Sequence, residues 1–268
     1  MKDIGVILAS RGRHRMCRKV LNMLYTQCES EDNFDVLGIV DKDQVKSYTY
    51  VMNGFPQVKW VHPDHIITSW QNIVDEQEKF VKENDYYFIW VLTDDFEGLE
   101  PNWDRHILDK KGTFDDGVFA MFQSHPNFMG RHPWVNEKCY ILDDDPRWTP
   151  RLRGWSDGRV ILRHCELLPI YTKKWLEFLF PLMKNDRYTN MPELLTAGLV
   201  FLLKKEHNIQ RFIQCGISYS NAVNQGKSNK IMTDGLTRDK AWEKMVDENN
   251  FSDLRPIIDN ILKEIKHD

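Results

Sequence analysis

Three short polar stretches carry residue types that could do chemistry, and each follows a mostly apolar run. Ser10-Arg11-Gly12-Arg13 follows 4–9, Asp41-Lys42-Asp43 follows 34–40, and Thr93-Asp94-Asp95 follows 86–92. The guanidiniums suit phosphate groups, which they grip as planar forks. The carboxylates suit a ribose, a base or a hard cation. Asp94 and Asp95 are adjacent, so their charges repel unless a cation or hydrogen-bond donors compensate. Mg2+ or Mn2+ takes one or two carboxylates and completes its shell with substrate phosphate oxygens.

The elements that must position these residues follow from the pattern around them. Continuous apolar runs at 4–9 and 86–92 suit central parallel strands covered on both faces, and another strand is expected at 34–40. A short strand is expected at 58–61, and helices at 15–27, 45–52 and 66–83. The last of these carries Ile66, Trp70, Ile73, Val74, Phe80 and Val81 on one stripe. Alternating strands and helices predict parallel strands with right-handed crossovers. Ligands of such sheets sit at the carboxyl ends of the strands, where strand order reverses. The three polar stretches lie at three such ends. Gly12 is the only glycine in the first turn, so a Gly-x-Gly-x-x-Gly dinucleotide loop is excluded. The Gly-x-x-x-x-Gly-Lys-Ser/Thr loop is absent too.

Beyond a short helix at 101–108 and a strand at 117–122, the pattern breaks. Residues 124–159 are rich in Pro, Gly, Trp and Arg, and a long irregular insert of this kind is usually functional. Of the nine Trp residues, Trp134, Trp148 and Trp155 gather there, whereas Trp70, Trp90 and Trp175 fall on expected core faces. Aromatic rings stack on sugars and on bases. Trp155 and Asp157, in Gly-Trp-Ser-Asp-Gly, are the first candidates for such a contact. Asp143-Asp144-Asp145-Pro146 reads as a solvated turn. Strands are expected at 139–142, 160–168 and 211–215, helices at 173–183 and 191–205, and a mostly helical tail at 239–267.

The 41% hydrophobic and 28% charged residues exclude a disordered or coiled-coil chain. A net charge of -4 argues against a broad nucleic-acid surface. The basic cluster Arg11, Arg13, His14, Arg15, Arg18 and Lys19 therefore reads as a phosphate site running into an exposed helix face. Five cysteines without a Cys-x-x-Cys pair point to a reducing compartment. No stretch reaches the roughly 18 apolar residues of a membrane span, and the first run is too short for a signal peptide. A cytoplasmic protein is expected, in the host cytoplasm if its origin is viral.

With Val6-Ile-Leu-Ala-Ser-Arg-Gly-Arg13, Asp41, Val91-Leu-Thr-Asp-Asp95 and Pro101-Asn-Trp-Asp104 on the page, the chain resembles nucleotide-sugar glycosyltransferases of the GT-A fold. It is similar to family 2 and to related phage and viral enzymes. The motifs cover residues 4–123, and 160–215 agree in layout. The resemblance implies an α/β fold with a Rossmann-like, mostly parallel central sheet flanked by helices, and a C-terminal helical extension. It divides the chain into a glycosyltransferase domain at 1–215, with a nucleotide-binding half at 1–123 and an acceptor half at 124–215, and an extension at 216–268.

The implied reaction moves a sugar from a UDP- or GDP-linked donor to a hydroxyl acceptor, a glycan or a hydroxylated DNA base, with help from Mn2+ or Mg2+. Ser10, Arg11 and Arg13 would line the nucleotide and diphosphate, and Asp41 would accept a hydrogen bond from the base. Asp94 would face the ribose and Asp95 would bind the metal, with Asp95-Phe96-Glu97 as an alternative frame. Many relatives carry a metal-binding His after the last core strand, but Cys215-Gly-Ile-Ser-Tyr-Ser-Asn221 has none. The base of an inverting reaction would come from Asp186, Glu193 or Asp157. Glu193 is preferred because it opens a helix, although an acid in a first turn also suits the helix dipole. Two other readings are a nucleotidyltransferase, which usually has a Gly-rich Lys loop that this chain lacks, and a nucleotide- or carbohydrate-binding module without turnover.

Overall fold

The computed structural model describes residues 2–64, 71–94, 96–122, 169–184, 192–215, 217, 220–221 and 252–265. The strands are β1 (Ile4–Ser10), β2 (Phe34–Val40), β3 (Lys59–Val61), β4 (Phe88–Thr93), β5 (Phe96–Glu97), β6 (Ala120–Phe122), β7 (Ile170–Thr172), β8 (Phe212–Gln214) and β9 (Ser220–Asn221). The helices are α1 (His14–Gln27), α2 (Val45–Gly54), α3 (Gln71–Glu83), α4 (Trp103–Leu108), α5 (Lys173–Met183), α6 (Pro192–His207) and α7 (Arg255–Glu264).

Seven of the described strands form one sheet in the order β3-β2-β1-β4-β7-β6-β8. β1, β2, β3 and β4 are mutually parallel, and β6 runs parallel to β8. β7 is antiparallel to both of its neighbours. β5 and β9 make a separate antiparallel ribbon.

The apolar runs of β1 and β2 are buried almost throughout because helices cover both sheet faces. Ile7, Leu37, Ile39 and Ile89 pack with α3, α5, α6 and α7. Val6, Leu8, Val36, Val40 and Trp90 point the other way, toward α1, α2 and α4. At the β2–β3 edge Gly38 pairs with Trp60. A Cβ on Gly38 would collide with Cε3 of that indole, so the ring sits where a side chain would be.

Consecutive strands run outward from β1 through β2 to β3, and β4 then returns to the other side of β1. Strand order therefore reverses between β1 and β4, and the crevice beyond their carboxyl ends is the expected ligand position. Ser10 ends β1, and Asp94 directly follows β4.

The expected strand over 34–40 and helix over 173–183 coincide with β2 and α5. Helix α2 runs on through Gly54, two residues past the end expected at 52. β7 has no counterpart among the expected strands; it is a three-residue strand ended by Thr172, whose hydroxyl caps α5 by accepting from the Trp175 N–H. In the tail, α7 buries Ile257, Ile258 and Ile261 in the same core as α5 and α6. The strands expected at 139–142 and 160–168, and the tail over 239–251, lie outside the described residues. No described helix is long and apolar enough to cross a membrane.

Candidate functional site

The β1–α1 turn is compact. Gly12 takes a φ of +70°, and no atom lies within 4 Å of the place a Cβ would occupy, so its backbone angle rather than space calls for glycine. Arg13 caps α1, accepting from the N–H groups of Met16 and Cys17 through its carbonyl. The first turn of α1 has no acidic residue, which leaves the positive end of the helix uncompensated by side chains of that turn.

Around this turn four side chains interlock. Ser10 Oγ donates to Asp94 Oδ2 at 2.5 Å and lies 2.6 Å from the Tyr48 hydroxyl. The Arg13 N–H donates to the Tyr48 oxygen at 3.0 Å. The Arg13 guanidinium returns to Asp94, with Nη2 2.7 Å from Oδ1. Asp94 is fully buried, so its charge depends on these donors. The cation that compensates it is thus a guanidinium of the chain itself. Burial pushes the Cys17 thiol up to about 12, and the charge of Asp94 adds to the effect. Burial likewise pushes the Tyr48 phenol up to about 12.

A second cluster sits beside the first. Arg11 Nη1 donates to Asp41 Oδ2 at 2.6 Å. The same guanidinium grips both oxygens of Asp43, at 2.7 and 2.8 Å. Hydrogen bonds from Arg11 to Asp43, and with them those to Asp41, hold the guanidinium above its ordinary range against the opposing effect of burial. The end of β2 that carries these carboxylates is tied to the loop after β3. Lys42 N–H donates to the Pro63 carbonyl at 3.0 Å, and His62 Nδ1 lies 3.2 Å from the Val40 carbonyl.

The sheet therefore brings Ser10, Arg11, Arg13, Asp41 and Asp94 to one end of the switch crevice, as the strand ends imply, and Asp43 joins them. Tyr48 is the member that sequence reasoning missed. Its signal was available: it lies on the buried stripe of α2 with Val51, and a buried tyrosine hydroxyl needs a partner. Asp95, Asp157 and Asp186 lie outside the described residues, as do Trp70, Trp134, Trp148 and Trp155. Glu193 is in the first turn of α6, and its side chain is likewise outside them. Among the described residues no group of three or more His, Cys, Asp or Glu is arranged to hold a metal ion.

The Pro101-Asn-Trp-Asp104 motif turns out to brace the fold. Trp103 is fully buried and donates through Nε1 to the Leu24 carbonyl at 3.0 Å. The Asp104 carboxylate, also fully buried, accepts from the N–H groups of Glu29 and Ser30 at 2.7 and 3.1 Å, and from Asn33 Nδ2 at 2.7 Å. It fastens the connection between α1 and β2.

No protein-family model matches the chain, and no curated protein sequence matches it. Solved structures do. The mannosyltransferase PcManGT from Pyrobaculum calidifontis, solved with GDP-Man and Mn2+, is 10% identical over 84% of this chain, with a TM-score of 0.53. TarS 1–349 from S. aureus is 14% identical over 82% of this chain, with a TM-score of 0.48. Glucosyl-3-phosphoglycerate synthase from Mycobacterium tuberculosis, in complex with Mn2+, UDP and its product, is 7% identical over 90%, with a TM-score of 0.47. The chain spans 59% of TarS 1–349 and 58% of the mannosyltransferase, under two thirds of each. Its strand order and flanking helices, together with the likeness to the mannosyltransferase, establish that the chain has the Rossmann-like GT-A fold.

Proposed function

We propose that the chain is a glycosyltransferase that moves a sugar from a nucleoside-diphosphate donor, UDP- or GDP-linked, to a hydroxyl acceptor. One observation carries the reading. Arg13 meets Asp94 where strand order reverses between β1 and β4, and Arg11 meets Asp41 and Asp43 at the neighbouring end of β2. That combination suits a ligand with a diphosphate at one end and a hydroxylated sugar and base at the other.

In this reading Arg11 and Arg13 bind the diphosphate, and Ser10 and Asp41 hold the nucleoside. Asp94 faces the ribose. Asp95 holds Mn2+ or Mg2+. A single carboxylate can serve such a metal, because a hard cation needs only one or two carboxylates when phosphate oxygens complete its shell. When bound, the metal supplies Lewis-acid neutralisation of the leaving nucleoside diphosphate. The mannosyltransferase with GDP-Man and Mn2+, whose fold this chain shares, supports the choice of donor class and metal. Residues 1–123 form the nucleotide half and 124–215 the acceptor half. Glu193 or Asp157 serves as the base that deprotonates the acceptor, and Trp155 stacks on it. The extension is 216–268, and the protein works in the cytoplasm.

A screen of nucleotide sugars for donor hydrolysis, followed by mass spectrometry with glycan and hydroxylated-DNA acceptors, tests the reading. The expected result is hydrolysis of one donor class and an acceptor mass raised by one sugar residue. Release of the sugar 1-phosphate instead, with the nucleoside monophosphate passed to the acceptor, would indicate nucleotidyl transfer and overturn it.

A further inference from the structure

We infer that Tyr48 is a positioning residue, whose hydroxyl holds the Ser10–Arg13 turn and the Asp94 carboxylate in one geometry and thereby sets the affinity for the diphosphate. The inference rests on the donor reading above, and it concerns a residue outside the strand ends.

The direction of each proton follows from the partners. Asp94 is paired with the Arg13 guanidinium and so accepts only. Ser10 has one proton, and it goes to Asp94 Oδ2. The Tyr48 hydroxyl, 2.6 Å from Ser10 Oγ, must then be the donor of that pair. Its oxygen keeps a lone pair for the Arg13 N–H, 3.0 Å away. The chain therefore runs from Arg13 N–H to Tyr48, to Ser10, to Asp94, and the Arg13 side chain closes the ring on Asp94 Oδ1. Each member is oriented by the one before it, and such polarised networks hold one arrangement.

Tyr48 is what ties this ring to α2. The whole residue is buried, and its ring meets the His14 ring edge-on, with centroids 6.1 Å apart. The phenol thus arrives with little rotational freedom. Without its oxygen the Arg13 N–H loses its acceptor and Ser10 loses its donor. The turn that carries both guanidiniums would then lose its tie to α2 and be held only by Ser10 and Arg13 on Asp94 and by Arg11 on Asp41 and Asp43.

Tyr48→Phe keeps the ring and removes the oxygen. Calorimetry should show about a tenfold weaker affinity for UDP or GDP, with a smaller loss for the matching nucleoside, which meets the network through Ser10 and Asp94 but not through the guanidiniums. Val51→Ala, which trims the same buried stripe of α2, should lower the unfolding midpoint and leave both affinities unchanged. Equal diphosphate affinity in Tyr48→Phe, or an equal loss for the nucleoside, overturns the inference. Amide hydrogen exchange tests the ring without any ligand. The Arg13 amide should exchange about tenfold faster in Tyr48→Phe, and an unchanged rate overturns the inference. If the unsubstituted chain binds no diphosphate, the donor reading fails while the exchange rate still decides the role of Tyr48.

Discussion

Ser10 and Asp94 stand 84 residues apart in the chain and meet in a 2.5 Å hydrogen bond across the two strands between which sheet order reverses. Asp94 also takes the Arg13 guanidinium. The bond and the ion pair together tie the carboxyl end of β1 and the turn after it to the end of β4. Asp94→Asn keeps the shape but leaves that guanidinium without its buried counter-charge. The pair is only part-buried, because Arg13 retains 26% side-chain exposure. The expected loss is therefore about 2 kcal/mol, below the usual range for a fully buried pair. Ser10→Ala should cost about 1 kcal/mol. Urea unfolding of both variants checks this order.

Asp104 offers a contrast. Its three accepted hydrogen bonds all go to the 29–33 connection, and none to the crevice. Asp104→Ala orphans two backbone N–H groups and should destabilise the chain by about 3 kcal/mol. Diphosphate affinity, measured well below the unfolding transition, should stay within about twofold. A large loss of affinity in a folded variant would return the Trp-Asp motif to the site.

Acid should loosen the packing of α3 on α5. Burial acts to raise the Glu78 carboxyl, but hydrogen bonds from Lys184 and Lys82, with their charges, outweigh it and hold the group below its ordinary 4.5. The folded state therefore binds the proton less readily than the unfolded chain. The stabilisation is fully present above pH 4.5 and is lost as pH falls through the lower folded value. Thermal unfolding midpoints of the unsubstituted chain should drop in that window. Those of Glu78→Gln should begin lower and change less.

Gly38 makes a simpler test of packing at the sheet edge. In Gly38→Ala the new methyl would collide with Cε3 and Cζ3 of Trp60, so the indole must move. A loss of about 1–3 kcal/mol is expected, with a shift in tryptophan fluorescence. Unchanged stability would mean that Trp60 has room to swing away.

Much of this fold can be read from residue order, and the reasons for the exceptions are physical. The runs at 4–9 and 34–40 announce their strands because both faces of β1 and β2 are covered, which leaves Asp35 as the one polar residue to blur the signal. The stripe of α5, with Trp175, Leu176, Leu179 and Phe180, is equally plain. β7 escapes because three residues cannot display a period, and because its pairing partners β4 and β6 are remote in the chain. The strand ends identified Ser10, Arg11, Arg13, Asp41 and Asp94 as neighbours, since a parallel sheet gathers its carboxyl ends. They could not identify Tyr48, which comes from a helix face. Nor could they reveal that Asp94 is neutralised by Arg13, a contact made by a flexible side chain.

Isothermal titration of UDP and GDP into the purified chain, with and without Mn2+, tests the central claim most directly. The account predicts binding of one diphosphate that strengthens with Mn2+ and is lost in Asp95→Ala. It also predicts at least tenfold weaker binding when Arg13 is replaced by Ala. No binding of either diphosphate at any Mn2+ concentration would contradict it.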